Sequence, residues 1–239
     1  MEERIVKIFR QVLLSSDKKV QIKLLGDSIT HGVGGTGFAQ DGEPIVEKYA
    51  RNPNGYCWAN RFKAYMEEKF HCEVTNNACT GTRIEFIIDH FDELVDAQDD
   101  LVICTIGTNN RHQYFHDLPE HTREEHLELF YQNILKLHKK FVVSGKQVIF
   151  VANIPASAKN EEDGENYRRL FHMEDVCRMY EAASEVCGFP LLCLYKRFLN
   201  YCAEQNITVD SLLKDGLHPN DAGYDVMFIL LKKAFLGEA

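Results

Sequence analysis

Three short segments of the chain carry residues that could perform nucleophilic catalysis together. Ser28 follows an apolar run within Gly-Asp-Ser-Ile-Thr, and Asn109 follows another apolar run within Gly-Thr-Asn-Asn. Asp215 and His218 lie close together near the other end of the chain, within Asp-Gly-Leu-His-Pro-Asn. Acyl transfer by a serine requires a nucleophile, a general base, a carboxylate that orients the base and a donor to the oxyanion. The four residues have the side chains that these roles require.

Asp215 and His218 are close enough in sequence for one loop to supply both acid and base. The Asp215 carboxylate could accept from Nδ1 of His218, leave Nε2 for the nucleophile and stabilise the imidazolium. Pro219 restricts His218 to extended conformations and can begin the next helix. Such spacing is unlike that of α/β-hydrolases, and Thr30 replaces the closing glycine of their G-x-S-x-G elbow. Taken singly, Ser28, Asp215 and His218 also fit a turn serine, a surface acid and a loop histidine.

A fourth segment, residues 76–83, follows the second predicted strand and contains Gly81. A glycine lets the backbone approach a substrate closely, so its N–H could donate to an oxyanion. The side-chain amide of Asn109 could donate to the same oxygen. An ordinary turn is the other interpretation of both residues.

Strand-like and helix-like segments alternate along the chain. Five short apolar runs are typical of strands covered on both faces: 20–25, 72–75, 101–106, 148–152 and 191–194. Apolar residues between them recur at helical spacing, as in Leu127, Phe130, Ile134, Leu137 and Phe141. This alternation predicts an α/β fold, with a parallel sheet between helices. Because linkers and repeats are absent, we expect one domain over residues 1–239.

Three loops are longer than a simple connection requires: 31–55, 111–120 and 153–165. Long loops in a compact domain are often functional. The first two follow Ser28 and Asn109 at the carboxyl ends of predicted strands, where open α/β sheets bind their ligands. We therefore expect these two loops to border the functional site.

The composition limits the classes of partner. Hydrophobic residues make up 45% of the 239 residues, as in ordinary globular proteins. The net charge of -9 argues against a nucleic-acid partner, because phosphate binding needs a clustered positive surface. No stretch approaches the roughly 20 apolar residues of a membrane span, and the N-terminus lacks the apolar core of a signal peptide. We therefore expect a cytoplasmic protein with a small-molecule substrate and no membrane partner; the oligomeric state stays open.

We expect neither a metal nor an organic cofactor. The eight cysteines include no C-x-x-C pair, which favours reduced core thiols over a metal or disulfide framework. Residues 32–37 match G-x-G-x-x-G, but they begin late after the strand and precede a poor helix, which disfavours a dinucleotide site. Pro119 and a polar setting favour a solvated loop over a metal cluster at four histidines: His112, His116, His121 and His126.

In this order, the segments around Ser28, Gly81, Asn109 and His218 resemble the four blocks of the SGNH hydrolases, also called GDSL-like esterases and lipases. The resemblance spans residues 20–225. It implies a flavodoxin-like, three-layer α/β/α sandwich around a five-stranded parallel sheet.

The resemblance also implies a role for each residue. Ser28 would be the nucleophile, His218 the general base and Asp215 the group that orients the base. The oxyanion hole would consist of the Ser28 N–H, the Gly81 N–H and the Asn109 side chain.

Two residues depart from the family's blocks. Ile29 replaces the usual leucine, which is a conservative change. Asn110 stands where the third block usually has aspartate. Because Asn110 lies outside the triad, we expect activity to persist while the hydrogen bonds of its loop differ.

We therefore expect a serine esterase that hydrolyses short-chain esters, acetyl esters above all, for instance on carbohydrate, through an acyl-Ser28 intermediate. The polar, glycine-containing loop 31–55 and the lack of a long apolar lid pattern favour short acyl chains. The alternative enzyme is a lysophospholipase or acyl-thioesterase, which an extended acyl groove would favour. The alternative from another class is a catalytically silent carbohydrate-binding module, which failure to react with a fluorophosphonate probe would favour.

Overall fold

A five-stranded sheet lies at the centre of the computed structural model, which describes residues 2–14, 18–38, 55–112, 121–162 and 169–237. The strand order is β2-β1-β3-β4-β5, and each neighbouring pair is parallel. The strands are β1 (Val20–Gly26), β2 (Cys72–Asn76), β3 (Leu101–Thr105), β4 (Gln147–Ala152) and β5 (Leu191–Cys193). All of the predicted strands are confirmed, and their ends shift by at most one residue.

Helices connect the strands and cover both faces of the sheet. The longer ones are α1 (Glu2–Leu14), α3 (Trp58–Lys69), α6 (Arg123–Val143), α8 (Met173–Cys187), α9 (Leu194–Gln205) and α10 (Asp221–Leu236). The shorter ones are α2 (Ser28–His31), α4 (Ile84–Asp89), α5 (Phe91–Leu94) and α7 (Ala158–Glu161), with 3₁₀ turns at Thr108–Arg111 and Val209–Leu212. Helix α6 begins with a capping box between Thr122 and Glu125, and its predicted apolar face is buried.

The core consists of two apolar layers, one on each face of the sheet. Successive side chains of a strand point to opposite faces. Leu24 and Ile103 therefore pack with α1, α3, α9 and α10, whereas Leu25 and Val102 pack with α4, α5, α6 and α8. This arrangement confirms the three-layer α/β/α sandwich.

The strand order places a crevice at one edge of the sheet. From β1 the chain first adds β2 on one side and then crosses to add β3 on the other side. In such a sheet the loops beyond the carboxyl ends of β1 and β3 diverge, and ligands bind between them. The segments containing Ser28 and Asn109 begin at these two ends.

The cysteine prediction was wrong for one pair. Cys177 of α8 and Cys193 of β5 form a disulfide, which spans a helix and the edge strand beneath it. The other cysteines are free thiols, mostly buried: Cys57, Cys72, Cys79, Cys104, Cys187 and Cys202.

Parts of the predicted long loops lie outside the described residues, namely 39–54, 113–120 and 163–168. His116 and Pro119 fall in these ranges. Among the helices of the described ranges, none has the length and apolar character needed to cross a bilayer.

Candidate active site

Ser28 is the first residue of α2, just beyond the carboxyl end of β1. Asp27 caps this helix, because its Oδ1 accepts from the backbone N–H two residues further on at 3.0 Å. A Cβ at Gly26 would collide with the side chains of Thr30 and Thr105, so the turn from strand to helix requires glycine. The turn holds Ser28 at the edge of the sheet, where its residue is 7% exposed.

The structure brings Ser28, His218 and Asp215 into one hydrogen-bonded array. The Ser28 Oγ lies 2.8 Å from Nε2 of His218. Nδ1 of His218 lies 2.7 Å from Oδ2 of Asp215. The other carboxylate oxygen of Asp215 accepts from the backbone N–H groups of Leu217 at 3.0 Å and His218 at 2.8 Å. One carboxylate therefore holds both the ring and the backbone of the histidine.

The surroundings of Asp215 favour its ionised form. Burial acts to raise the pKa of Asp215, but the hydrogen bond and charge of His218, with the two backbone N–H donors, hold that pKa below its ordinary 3.8. An ionised carboxylate at Nδ1 keeps the ring proton on that nitrogen. Nε2 is then the nitrogen that can accept the proton of Ser28.

Helix α10 fixes the position of His218 relative to Ser28. Asn220 caps α10, because its side chain accepts from the Gly223 N–H at 3.0 Å. Tyr224, fully buried on the first turns of α10, places its hydroxyl 3.1 Å from the carbonyl of Ile29 and 2.7 Å from that of Val33. The helix that follows the histidine therefore contacts the helix that carries the serine.

One hydrogen bond joins Asn109 to Thr82, the residue that follows Gly81. The Asn109 Nδ2 donates to the carbonyl of Thr82 at 2.9 Å, and Asn109 is buried. Gly81 is exposed and has a φ of 72°, a conformation that favours glycine. The same segment is joined to the β1 side by the Cys79 N–H, which donates to the Gly26 carbonyl at 3.2 Å.

The sequence analysis assigned no role to two fully buried polar residues near Ser28, Asn153 and Asp27. Asn153 is the first residue after β4; its Nδ2 donates to the Thr108 hydroxyl at 3.1 Å and lies 3.5 Å from the Asp27 carboxylate. Burial raises the pKa of Asp27, and hydrogen bonds from Thr108 and the backbone offset part of this effect. The position of Asn153 at a strand end was the available signal, because Asn109 follows β3 in a similar way.

One group of side chains in the described ranges has metal-ligating atoms close together: Cys177, Glu181 and Cys193. Its two sulfurs are joined in the disulfide. The described histidines of the suggested cluster belong to no such group, and His112 Nδ1 lies 2.7 Å from an Arg169 guanidinium nitrogen.

Solved structures share this fold at low sequence identity. An acetylxylan esterase from Geobacillus stearothermophilus is 18% identical, with a TM-score of 0.65 over 93% of this chain and 96% of that chain. A lipase/acylhydrolase from Enterococcus faecalis is also 18% identical, with a TM-score of 0.65 over 91% of this chain and 96% of that chain. An alpha/beta hydrolase enzyme from the metagenome of Lake Arreo, Spain, is 19% identical, with a TM-score of 0.66 over 91% and 95%.

No curated protein matches the sequence significantly. The model of the GDSL-like lipase/acylhydrolase family, however, matches residues 24–226. The match covers most of the chain and includes the four segments around Ser28, Gly81, Asn109 and His218. The chain therefore belongs to the GDSL-like lipase/acylhydrolase family and is a carboxylic ester hydrolase.

Proposed function

We propose that the protein hydrolyses short-chain esters, acetyl esters above all, through an acyl-Ser28 intermediate. The observation that carries the proposal is the array from Asp215 through His218 to Ser28, with contacts of 2.7 Å and 2.8 Å. A nucleophile within hydrogen-bond reach of a base, which a third group orients, is the arrangement of an activated serine.

In the first half of the reaction, the Ser28 Oγ attacks the ester carbonyl and its proton passes to Nε2 of His218. The imidazolium formed in this step is stabilised by the Asp215 carboxylate at Nδ1. When the tetrahedral intermediate collapses, the bond from the carbonyl carbon to the alcohol oxygen breaks. The alcohol leaves with the proton that Nε2 returns, and the acyl group remains on Ser28.

In the second half, water replaces the alcohol. Nε2 of His218 takes one proton from the water, whose oxygen attacks the acyl-serine carbonyl. The bond to the Ser28 Oγ then breaks, and the serine recovers its proton from His218. The products are the carboxylic acid and the free enzyme.

Three donors are proposed for the oxyanion in both halves. Two are the backbone N–H groups of Ser28 and Gly81, and the third is the Asn109 side chain. The Asn109 amide carries two hydrogens, and the Thr82 carbonyl takes only one of them. Such preorganised donors act on the negative charge that develops in the transition state.

The preference for short acyl chains, and for carbohydrate acetyl groups, has two supports. Loop 31–55 follows the nucleophile's helix and has charged residues and glycines with few large apolar ones. Each methylene buried in an apolar groove contributes about 0.8 kcal/mol, which a polar border does not provide. In addition, one of the proteins with the same fold is named as an acetylxylan esterase.

A series of p-nitrophenyl esters from acetate to palmitate tests the acyl preference. We expect kcat/KM to be highest for acetyl or butyryl esters. An optimum at octanoyl or longer chains would instead favour a lysophospholipase or acyl-thioesterase. Release of acetate from acetylated xylooligosaccharide, compared with deacetylated material, then tests the alcohol.

Ser28→Ala is the matched control for every substrate. We expect it to lower kcat by about 10⁴–10⁶ while the circular dichroism spectrum stays unchanged. A fluorophosphonate probe should label the wild-type protein and not this variant. A wild-type protein that fails to react with the probe would support the catalytically silent binding module instead.

A further inference from the structure

Asn110, where the family's third block usually has aspartate, uses both ends of its amide. Its Oδ1 accepts from the Ile84 backbone N–H at 3.1 Å. Its Nδ2 donates to Oε2 of Glu85 at 2.9 Å. The other oxygen of Glu85, Oε1, accepts from Nδ2 of Asn133 at 3.0 Å. Two amides therefore donate to one carboxylate.

These contacts join three parts of the molecule. Asn110 lies in the 3₁₀ turn after β3, Glu85 on the first turn of α4 and Asn133 in the middle of α6. Asn110 and Asn133 are 2% and 9% exposed, so water does not compete freely for their hydrogen bonds. Glu85 itself is half-buried, so the network lies where the three elements pack together, with its carboxylate towards the edge of that contact.

The network connects the two segments that carry the proposed oxyanion donors. Asn109 donates to Thr82 at 2.9 Å, and the next residue, Asn110, accepts from Ile84. Arg83, the N-cap residue of α4, has no side-chain cap hydrogen bond, so Asn110 provides an acceptor that the helix end lacks. The 3₁₀ turn and the segment after Gly81 are thus joined at two adjacent points.

We propose that Asn110 and Glu85 act as a pair of positioning residues that hold the Gly81 N–H and the Asn109 amide in place for the oxyanion. The inference rests on the proposed function, since it assigns these two donors to catalysis. It adds that neither residue of the pair touches the substrate, and that each has the hydrogen-bonding group that the other requires.

Hydrogen-bond chemistry explains why asparagine suits this position. An aspartate at 110 could still accept from the Ile84 N–H, but it could not donate to Glu85. The two carboxylates would then face each other, and like charges at this distance disfavour the ionised pair. Glutamine at 85 would reverse the requirement, since its amide could donate to an aspartate at 110 while its carbonyl accepts from Asn133. The double exchange therefore conserves every hydrogen bond of the network.

The test is a double-mutant cycle of Asn110→Asp, Glu85→Gln and the two combined. We expect Asn110→Asp to lower kcat for p-nitrophenyl acetate about 10-fold, with KM little changed, because the loss affects transition-state stabilisation. The combined variant should recover to within about 3-fold of wild type. Glu128→Gln, an exposed change on α6 outside the network, is the matched control and should leave kcat unchanged.

Thermal melting and the rate of labelling by a fluorophosphonate complete the experiment. Wild-type kcat in folded Asn110→Asp, or a loss of kcat that Glu85→Gln does not reverse, would overturn the inference. So would a lower Tm in Asn110→Asp without any change in the kcat of the folded enzyme. If Asn110→Asp alone does not fold, the comparison starts instead from Glu85→Gln. The kcat of Glu85→Gln should recover when Asn110→Asp is added to it. A wild-type protein that the probe does not label would instead refute the Ser28 assignment, so the two failures can be distinguished.

Discussion

Asn109→Ala tests the proposed oxyanion hole at a single side chain. The substitution removes the amide and leaves the backbone of the 3₁₀ turn in place. Nδ2 of Asn109 has one hydrogen on the Thr82 carbonyl at 2.9 Å, and the second is the one we assign to the oxyanion. The variant therefore loses one structural and one catalytic hydrogen bond, and the two losses affect different measurements.

The structural loss is small and the catalytic loss is large. A neutral hydrogen bond contributes about 1 kcal/mol to the free energy of unfolding, so we expect a modest decrease in Tm. Loss of one oxyanion donor lowers kcat by about 10²–10³. Because the donor acts on charge that exists only in the transition state, KM should change little.

Steady-state kinetics with p-nitrophenyl acetate, at a temperature well below the Tm, separates the two effects. Asn77→Ala is the matched control, because its Nδ2 also donates to a backbone carbonyl, that of Leu94 at 3.2 Å. This control should reduce the Tm to a similar extent and leave kcat near the wild-type value. A change in KM alone in Asn109→Ala would place the residue in ground-state binding, and an unchanged kcat would remove it from the oxyanion hole.

Three further outcomes follow from the structure. Folding lowers the pKa of Asp215 below its ordinary 3.8, so the ionised carboxylate stabilises the folded protein above about pH 3.8. This stabilisation is lost as the pH falls through the lower pKa of the folded state. The Tm difference between wild type and Asp215→Asn should therefore shrink from about pH 5 to about pH 2.5; a constant difference would contradict this. Tyr224→Phe leaves the Val33 carbonyl without its buried donor, and denaturant titration should show a loss of about 1–3 kcal/mol, whereas an unchanged unfolding midpoint would argue against that bond. Because Cys177 and Cys193 are bonded, Ellman's reagent should detect six thiols in the unfolded, unreduced chain; eight would mean that the pair is reduced.

The inner strands β1, β3 and β4 were predictable because they are covered on both faces. A run such as Leu101–Thr105 is apolar at every position except its end, and this pattern is typical of a buried parallel strand. The three residues of the array were predictable for a different reason. Ser28 follows a strand, and Asp215 and His218 share one loop, so the hypothesis required few assumptions about tertiary structure. Their contact is now observed, while their catalytic roles stay predictions.

The contacts that could not be predicted depend on how separate elements pack. Asn133 is one of several polar residues on α6, and nothing in its helical spacing indicates that it meets Glu85. The same holds for the disulfide, which depends on the alignment of α8 over β5. The local sequence pattern identifies an element and its buried face. To predict which side chains of two elements meet, one must also know how the elements are aligned along their interface.

The contact between Ser28 and His218 joins residues that are 190 positions apart in the chain. Helix α10, which follows the histidine, packs against α1 and α3 from the beginning of the sequence. During synthesis, Ser28 leaves the ribosome long before His218, so under the proposed mechanism the nascent chain should not hydrolyse an ester until α10 has docked. The appearance of esterase activity in a translation reaction would then report the docking of α10, without any added label.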